Sequence, residues 1–111
     1  MDKLKTRFLT HNLINTSYII GSIEQKLINY KNRTDKESIL IDLDVSIIFI
    51  NELNDDEFIS DEFKKQYYEL MEKIKENLKN GEIEDKTLED AHNILSDLER
   101  DITEQIIYII K

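Results

Sequence analysis

The chain of 111 residues contains no cysteine, no proline and no tryptophan, and it has only two glycines, Gly21 and Gly81. Without cysteine, neither a disulfide nor a thiolate metal site can form. Small β-sandwiches and barrels need many tight turns, and those turns depend on glycine and proline. The shortage of both residues therefore favours a few long helices. A chain of this length is expected to form one domain, residues 1–111, around a single core.

Long apolar runs are also missing. The longest unbroken run is Ile106–Ile110, which is far shorter than the roughly 20 residues that a membrane helix needs. The basic N-terminal segment is interrupted by polar residues from His11 onward, which is not the pattern of a signal peptide. We therefore expect no membrane span and a cytoplasmic location.

The charge is acidic and unevenly distributed. The net charge is −9, which argues against nucleic acid as a partner, because neutralising phosphates requires clustered Lys and Arg. Residues 1–33 carry a net charge of +4, and residues 34–111 carry −13. Either the first helix docks on an acidic body, or the acidic body attracts a basic protein partner.

The clearest helix signal is the segment Ser60–Gly81. Ser60 is a favoured helix cap, and the two acidic residues after it suit the helix dipole. Asn80 and Gly81 are residue types that end a helix in a left-handed conformation. Between these ends, one face of the helix is formed by Phe63, Tyr67, Leu70, Ile74 and Leu78.

Two further segments have helical periodicity. The first helix is expected from about Asp2 to Lys31, either continuous or broken in the polar and β-branched stretch 10–17. Gly21 lies inside it and either permits a close helix crossing or has no packing role. The last helix is expected to start at a capping box, Thr87 with Asp90, and to reach the chain end.

The segment between residues 34 and 53 has two readings. Thr34 with Glu37 fits a capping box, which favours a helix. Within this segment, residues 41–47 also alternate between apolar and polar types and include β-branched side chains, which is typical of a strand. We predict an all-α fold, a small up-and-down antiparallel bundle of four helices. The alternative is an α+β fold in which residues 39–50 form a strand.

No catalytic or cofactor site is recognisable. The sequence has no glycine-rich phosphate loop and no local nucleophile–histidine signature. Glu89 and His92 have the Glu-x-x-His spacing of carboxylate-bridged di-iron bundles, but that chemistry needs two copies. Asp42 and Asp44 begin like a calcium loop, yet the glycine of such a loop is missing. We expect no enzymatic activity, no cofactor and no metal, with a metal-binding bundle as an alternative.

Candidate partner-binding residues come from three places. The run Ile106–Ile110 is apolar nearly all round, so its side chains cannot all face one core. The loop before Ser60 is acidic. Tyr68 lies about 100° round the helix from the core stripe, and tyrosine is favoured at binding hot spots. The candidates are Tyr68, Ile106, Ile107, Tyr108, Ile110, Asp55, Asp56 and Glu57.

An acidic bundle without visible chemistry indicates a non-enzymatic protein-binding module. In outline it resembles flagellar export chaperones and bacteriocin immunity proteins, which are also small helical bundles. We expect an adaptor, chaperone, inhibitor or immunity-type protein that acts through the C-terminal apolar surface or the acidic face. The expected partner is another protein, basic in character, or a second copy in a homodimer. The alternative is an acidic nucleic-acid mimic that inhibits a nuclease or DNA-binding protein, although lysines interrupt the acids of the central helix.

Overall fold

Four α-helices make up the part of the chain that the computed structural model describes, residues 3–30 and 36–110. They are α1 (Lys3–Tyr30), α2 (Lys36–Asp55), α3 (Asp61–Lys79) and α4 (Asp85–Ile110). The predicted all-α bundle is confirmed. The strand alternative is wrong, because residues 39–50 lie inside α2 and these described residues contain no strand.

The helices form a closed square in which α1 packs on α2 and α4, while α3 packs on α2 and α4. Two contacts fix the relative direction of α1 and α2: Ser22 meets Asp42, and Lys26 meets Ser38. Residue numbers rise along α1 as they fall along α2, so the two helices are antiparallel. The same reversal holds between α2 and α3. The predicted up-and-down bundle results, with extents of 46 × 24 × 21 Å.

The core consists mainly of leucine and isoleucine from all four helices, together with Met71, Ala91 and the fully buried Tyr67. The face predicted for the central helix packs into this core, and its first member, Phe63, is half-buried. The ring of Phe63 stacks on that of Tyr67 with 6.5 Å between centroids. Removing this apolar surface from water is the main favourable term in folding.

Both predicted ends of α3 are confirmed. The Ser60 hydroxyl accepts a hydrogen bond from the Phe63 amide at 3.0 Å, which satisfies one of the free amides of the first turn. At the other end Gly81 has φ +86°. The amides of Gly81 and Glu82 donate to the carbonyls of Leu78 and Asn77 at 3.1 and 3.2 Å, the pair of bonds that defines a Schellman motif.

The structure settles two open points about the other helices. α1 is continuous, and the hydroxyls of Thr10 and Thr16 donate to carbonyls one turn earlier in the same helix. The start predicted for α4 at Thr87 is wrong: the helix starts at Asp85, and the Leu88 amide donates to the Glu84 carbonyl at 3.0 Å. Thr87 is buried inside the helix and caps nothing. The predicted capping box at Thr34 lies outside the described residues.

Candidate protein-binding face

Helix α2 is apolar on two sides. Its inner side carries Ile39, Leu43, Ile50 and Leu53, all of which are completely buried. Its outer side carries Ile41 and Ile48, which are 63% and 58% exposed. A helix that is hydrophobic nearly all round belongs in an interior, not at a surface. The same two-sided pattern produced the period-two alternation that resembled a strand.

The outer residues of α2 follow their own heptad spacing. They recur at intervals of four and three residues, which keeps them on one stripe of the helix. Val45 is half-buried, and the others are exposed. The stripe is apolar in its first half and acidic in its second half. Its members are Ile41, Val45, Ile48, Glu52 and Asp55.

Helix α1 carries a second heptad stripe of the same kind, opposite its core stripe. Tyr18, at its centre, is 79% exposed, and Ile14 is 50% exposed. All its members are exposed except Gly21, which is half-buried. The stripe is basic near the start of the helix and mainly apolar further on. Its members are Leu4, Arg7, His11, Ile14, Tyr18, Gly21, Gln25 and Ile28.

The α2 stripe and the members of the α1 stripe on the side nearest to α2, which are Leu4, Arg7, His11 and Tyr18, form what we call the α1–α2 face. The contacts Ser22–Asp42 and Lys26–Ser38 set the register, so that Tyr18 is level with Ser46. In that register Tyr18 is level with the gap between Val45 and Ile48. Asp55 is level with Leu9, one turn or less from Arg7 and His11. The face therefore has an apolar middle and a charged end.

A polar cluster holds the two helices of the face in this register. The Lys26 ammonium donates to a carboxylate oxygen of Asp42 at 2.8 Å and to the Ser38 hydroxyl at 2.6 Å. The Ser22 hydroxyl donates to the same carboxylate oxygen at 2.8 Å. Asp42 is only 9% exposed, so removing one partner would leave a buried charge under-satisfied. Such a cluster favours one register of α1 against α2.

The charges at the two sides of the face are opposite. α1 contains four Lys or Arg and one acidic residue, a net charge of +3. α2 contains one Lys and five acidic residues, a net charge of −4. Arg7 and Asp55 form no ion pair with any residue in the described ranges 3–30 and 36–110. Both side chains are thus available to charges on another molecule.

The predicted C-terminal surface is smaller than the sequence suggests. Ile106 and Ile109 pack against the core, which leaves Ile107 at 46% and Tyr108 at 77% exposure. Ile110 ends α4, and its side chain lies outside the described part of the structure. Two exposed apolar side chains one residue apart do not make a stripe along the helix.

The predicted acidic loop is exposed and faces the start of α1. Asp55, Asp56 and Glu57 line a groove of about 340 Å³ together with Lys5 and Phe8. Glu57 has φ +62°, an uncommon conformation for a residue other than glycine. Asp55 is shared between this groove and the α1–α2 face, so one predicted residue belongs to the face that sequence reasoning missed.

Tyr68 is half-buried, and its side chain makes contacts within its own chain. Its hydroxyl donates a hydrogen bond to the side-chain oxygen of Asn51 on α2. The ammonium of Lys64 lies 5.8 Å from the ring centroid, within the range of a cation–π interaction. These contacts hold Tyr68 along the α2–α3 groove, away from the α1–α2 face.

The histidine of the Glu-x-x-His pattern on α4 contacts another helix. His92 is exposed, and its Nδ1 lies 3.0 Å from a carboxylate oxygen of Glu24 on α1. No group of three or more His, Asp or Glu side chains within residues 3–30 and 36–110 is placed to hold a metal ion. Along α3 the outer surface is lined by Lys and Glu side chains of that one helix, together with Asp61 and Tyr68.

Two buried hydroxyls have no hydrogen-bond partner among the described residues, those of Tyr67 and Thr87. Burial raises the pKa of Tyr67 far above its ordinary value, and the nearby Ser46 hydroxyl offsets this only in part. Ser46 donates instead to the Leu43 carbonyl at 2.7 Å. Tyr67 is therefore a neutral core residue, not an acid or base at neutral pH.

No protein-family model matches the chain, and comparison with curated proteins and with solved structures finds no significant match. None of the helices in the described ranges is long and apolar enough to cross a membrane.

Proposed function

We propose that the chain is a non-enzymatic protein-binding module that uses the α1–α2 face. One observation supports this most strongly: both helices carry a second heptad stripe, with exposed apolar side chains, on the side that faces away from their own core. Among residues 3–30 and 36–109, seven of the nine large exposed apolar side chains lie on these two helices, and the remaining two lie on α4. Contiguous exposed apolar surface of this kind marks interaction sites.

The contrast with the other half of the bundle supports the same proposal. α3 and α4 are strongly amphipathic, with apolar residues inside and charged residues outside, as expected for helices that face water. α1 and α2 differ from them although they belong to the same domain. A general shortage of polar residues would affect all four helices, so the difference indicates a face that another protein covers.

The proposal is tested by comparing three forms of the chain. Tagged wild-type protein, Ile48→Glu and Tyr108→Glu are used to capture proteins from extracts of the native host, and captured proteins are quantified by mass spectrometry. Each partner is then purified and titrated against the three forms by calorimetry. We expect Ile48→Glu to lose binding and Tyr108→Glu to retain it, with helical content unchanged by circular dichroism.

The opposite result would assign the contact surface to a different part of the chain. If Tyr108→Glu loses binding and Ile48→Glu retains it, the C-terminal run is the contact surface and the α1–α2 face is not. If neither substitution changes self-association or the binding of any partner, the proposed function is wrong.

A further inference from the structure

The geometry points to a second copy of this chain as the occupant of the α1–α2 face. This inference rests on the proposed function and names its partner. In the dimer, a two-fold axis runs parallel to the helices, and α1 of each copy lies over α2 of the other. Four features support this arrangement: the shared register of the stripes, their shapes, their charges and the available area.

The proposed symmetry preserves the register. Rotation by 180° about an axis parallel to the helices changes neither their direction nor the level of any residue. α1 of the second copy is therefore antiparallel to α2 of the first, and their residues meet at the levels already set within one chain. The α2 stripe then faces the members of the α1 stripe that lie nearest to α2, as in an antiparallel coiled coil.

The apolar parts of the stripes match in this arrangement. Tyr18 of one copy lies over the gap between Val45 and Ile48 of the other.

The charged parts also match. Arg7 of one copy comes within two residues of the level of Asp55 of the other, a rise of about 3 Å. His11 comes within one residue of the level of Glu52. Each contact occurs twice because of the symmetry. The competing arrangement, with the two-fold axis across the helices, places α2 over α2 and brings two segments of net charge −4 together.

The area is sufficient for a stable dimer. One long side of a body of 46 × 24 × 21 Å projects roughly 1,000 Å², against about 800 Å² per partner in a standard interface. Each copy has a net charge of −9, which opposes association at long range. At physiological salt, charges more than about 8 Å apart are largely screened, so the contact pairs dominate.

Exchange of the two charges tests the arrangement. Arg7→Glu and Asp55→Arg are prepared separately, and Asp97→Arg on α4 serves as a matched control. Sedimentation equilibrium measures the dimer dissociation constant of each form. Each face substitution should raise the constant by roughly tenfold, because exposed charge pairs are individually weak and each change reverses two of them. The control should change it by less than about twofold.

The decisive sample is the equimolar mixture of Arg7→Glu and Asp55→Arg. In a mixed dimer of the proposed geometry both contacts pair a basic with an acidic residue, so association should return to the wild-type strength. Native mass spectrometry, which separates the two chains by mass, should find the mixed dimer in excess over either homodimer. A mixture that associates no better than its components would overturn the geometry.

Two outcomes separate this inference from the proposed function. A wild-type chain that stays monomeric at about 100 μM, while Ile48→Glu abolishes binding of a different protein, refutes the second copy as occupant and leaves the proposed function standing. A monomer in which Ile48→Glu affects no binding at all refutes both. Far-UV circular dichroism of every variant shows whether it is folded. If Ile48→Glu is unfolded, Ile41→Glu is used in its place.

Discussion

The two glycines should respond to alanine in opposite directions. Gly81 has φ +86° in the Schellman motif that ends α3. An L-residue with a side chain in that region costs about 1–2 kcal/mol. Gly21 lies in the interior of α1, where alanine is favoured by about 0.5–1 kcal/mol. At either position an added Cβ meets nothing within 4 Å, so backbone conformation alone decides the sign.

The expected magnitudes follow from these terms. Gly81→Ala should lower the free energy of unfolding by about 1 kcal/mol after the smaller entropy of the unfolded alanine chain is included. Gly21→Ala should raise it by about 0.7 kcal/mol. Because 1 kcal/mol corresponds to roughly 4 °C in a domain of this size, the two melting temperatures should differ by about 7 °C.

Urea denaturation followed by circular dichroism measures both changes. The substitutions are made on the Ile48→Glu background so that association of the α1–α2 face does not contribute. Equal m-values would show that the surface exposed on unfolding is unchanged. If Gly21→Ala destabilised the monomer, this would contradict the open space found around Gly21. If Gly81→Ala had no effect, this would contradict the left-handed conformation of Gly81 at the end of α3.

Three further substitutions test the interior and the surface. Tyr67→Phe removes a buried hydroxyl that has no partner among the described residues. The urea midpoint should therefore stay the same or rise by the equivalent of up to about 1 kcal/mol. A loss of stability of that size would reveal a hydrogen bond. The Asn77 side chain accepts a hydrogen bond from the Glu84 amide at 2.7 Å and donates one to the Lys73 carbonyl at 3.0 Å. Asn77→Ala should therefore lower the free energy of unfolding by about 1–2 kcal/mol, measured by thermal unfolding. An unchanged melting temperature would contradict this. The Lys86 ammonium beside Asp90 holds the pKa of that carboxyl below its ordinary value. A lowered folded-state pKa stabilises the fold above the ordinary pKa, and the contribution is lost as the pH falls through the folded value. Denaturation at pH 6 and pH 2 should therefore find that Asp90→Asn reduces stability at pH 6 and has less effect at pH 2; an equal effect at both would contradict the shift.

The sequence predicted the fold well where one apolar period dominates. α3 has a cap residue, a single stripe and a glycine end, and all three occur as expected. The start of α4 was missed because Thr87 matches a capping pattern, whereas the interaction that orders the turn before it comes from the Asn77 side chain on α3. A contact between residues seven positions apart across a turn leaves no local signature.

The candidate site was harder to predict than the fold. The C-terminal run was predicted as a contact surface because its apolar residues are consecutive. However, Ile106 and Ile109 are partly buried against the core. The α1–α2 face was missed because its apolar residues are interleaved with core residues in the same helices. The signal was present in the sequence as a second heptad series at positions 41, 45, 48, 52 and 55, and in the uncertain period of α2. Only the positions of neighbouring helices decide which of two apolar stripes faces the core.

One distance measurement tests the proposed pairing of two copies most directly. The chain has no cysteine, so Glu62→Cys and Glu76→Cys each allow a single nitroxide label on the exposed side of α3. The contacts between α2 and α3 place Glu76 roughly 5 Å and Glu62 roughly 16 Å along the helices from the middle of the face. Electron double resonance then measures the distance between equivalent labels in the two copies.

An axis parallel to the helices keeps equivalent labels at the same level, so the two variants should give distances that agree to within about 5 Å. An axis across the helices would separate the Glu62 labels by roughly 33 Å along the bundle and the Glu76 labels by roughly 9 Å. Unequal distances of that kind, or the absence of dipolar coupling at about 100 μM protein, would contradict the dimer through the α1–α2 face.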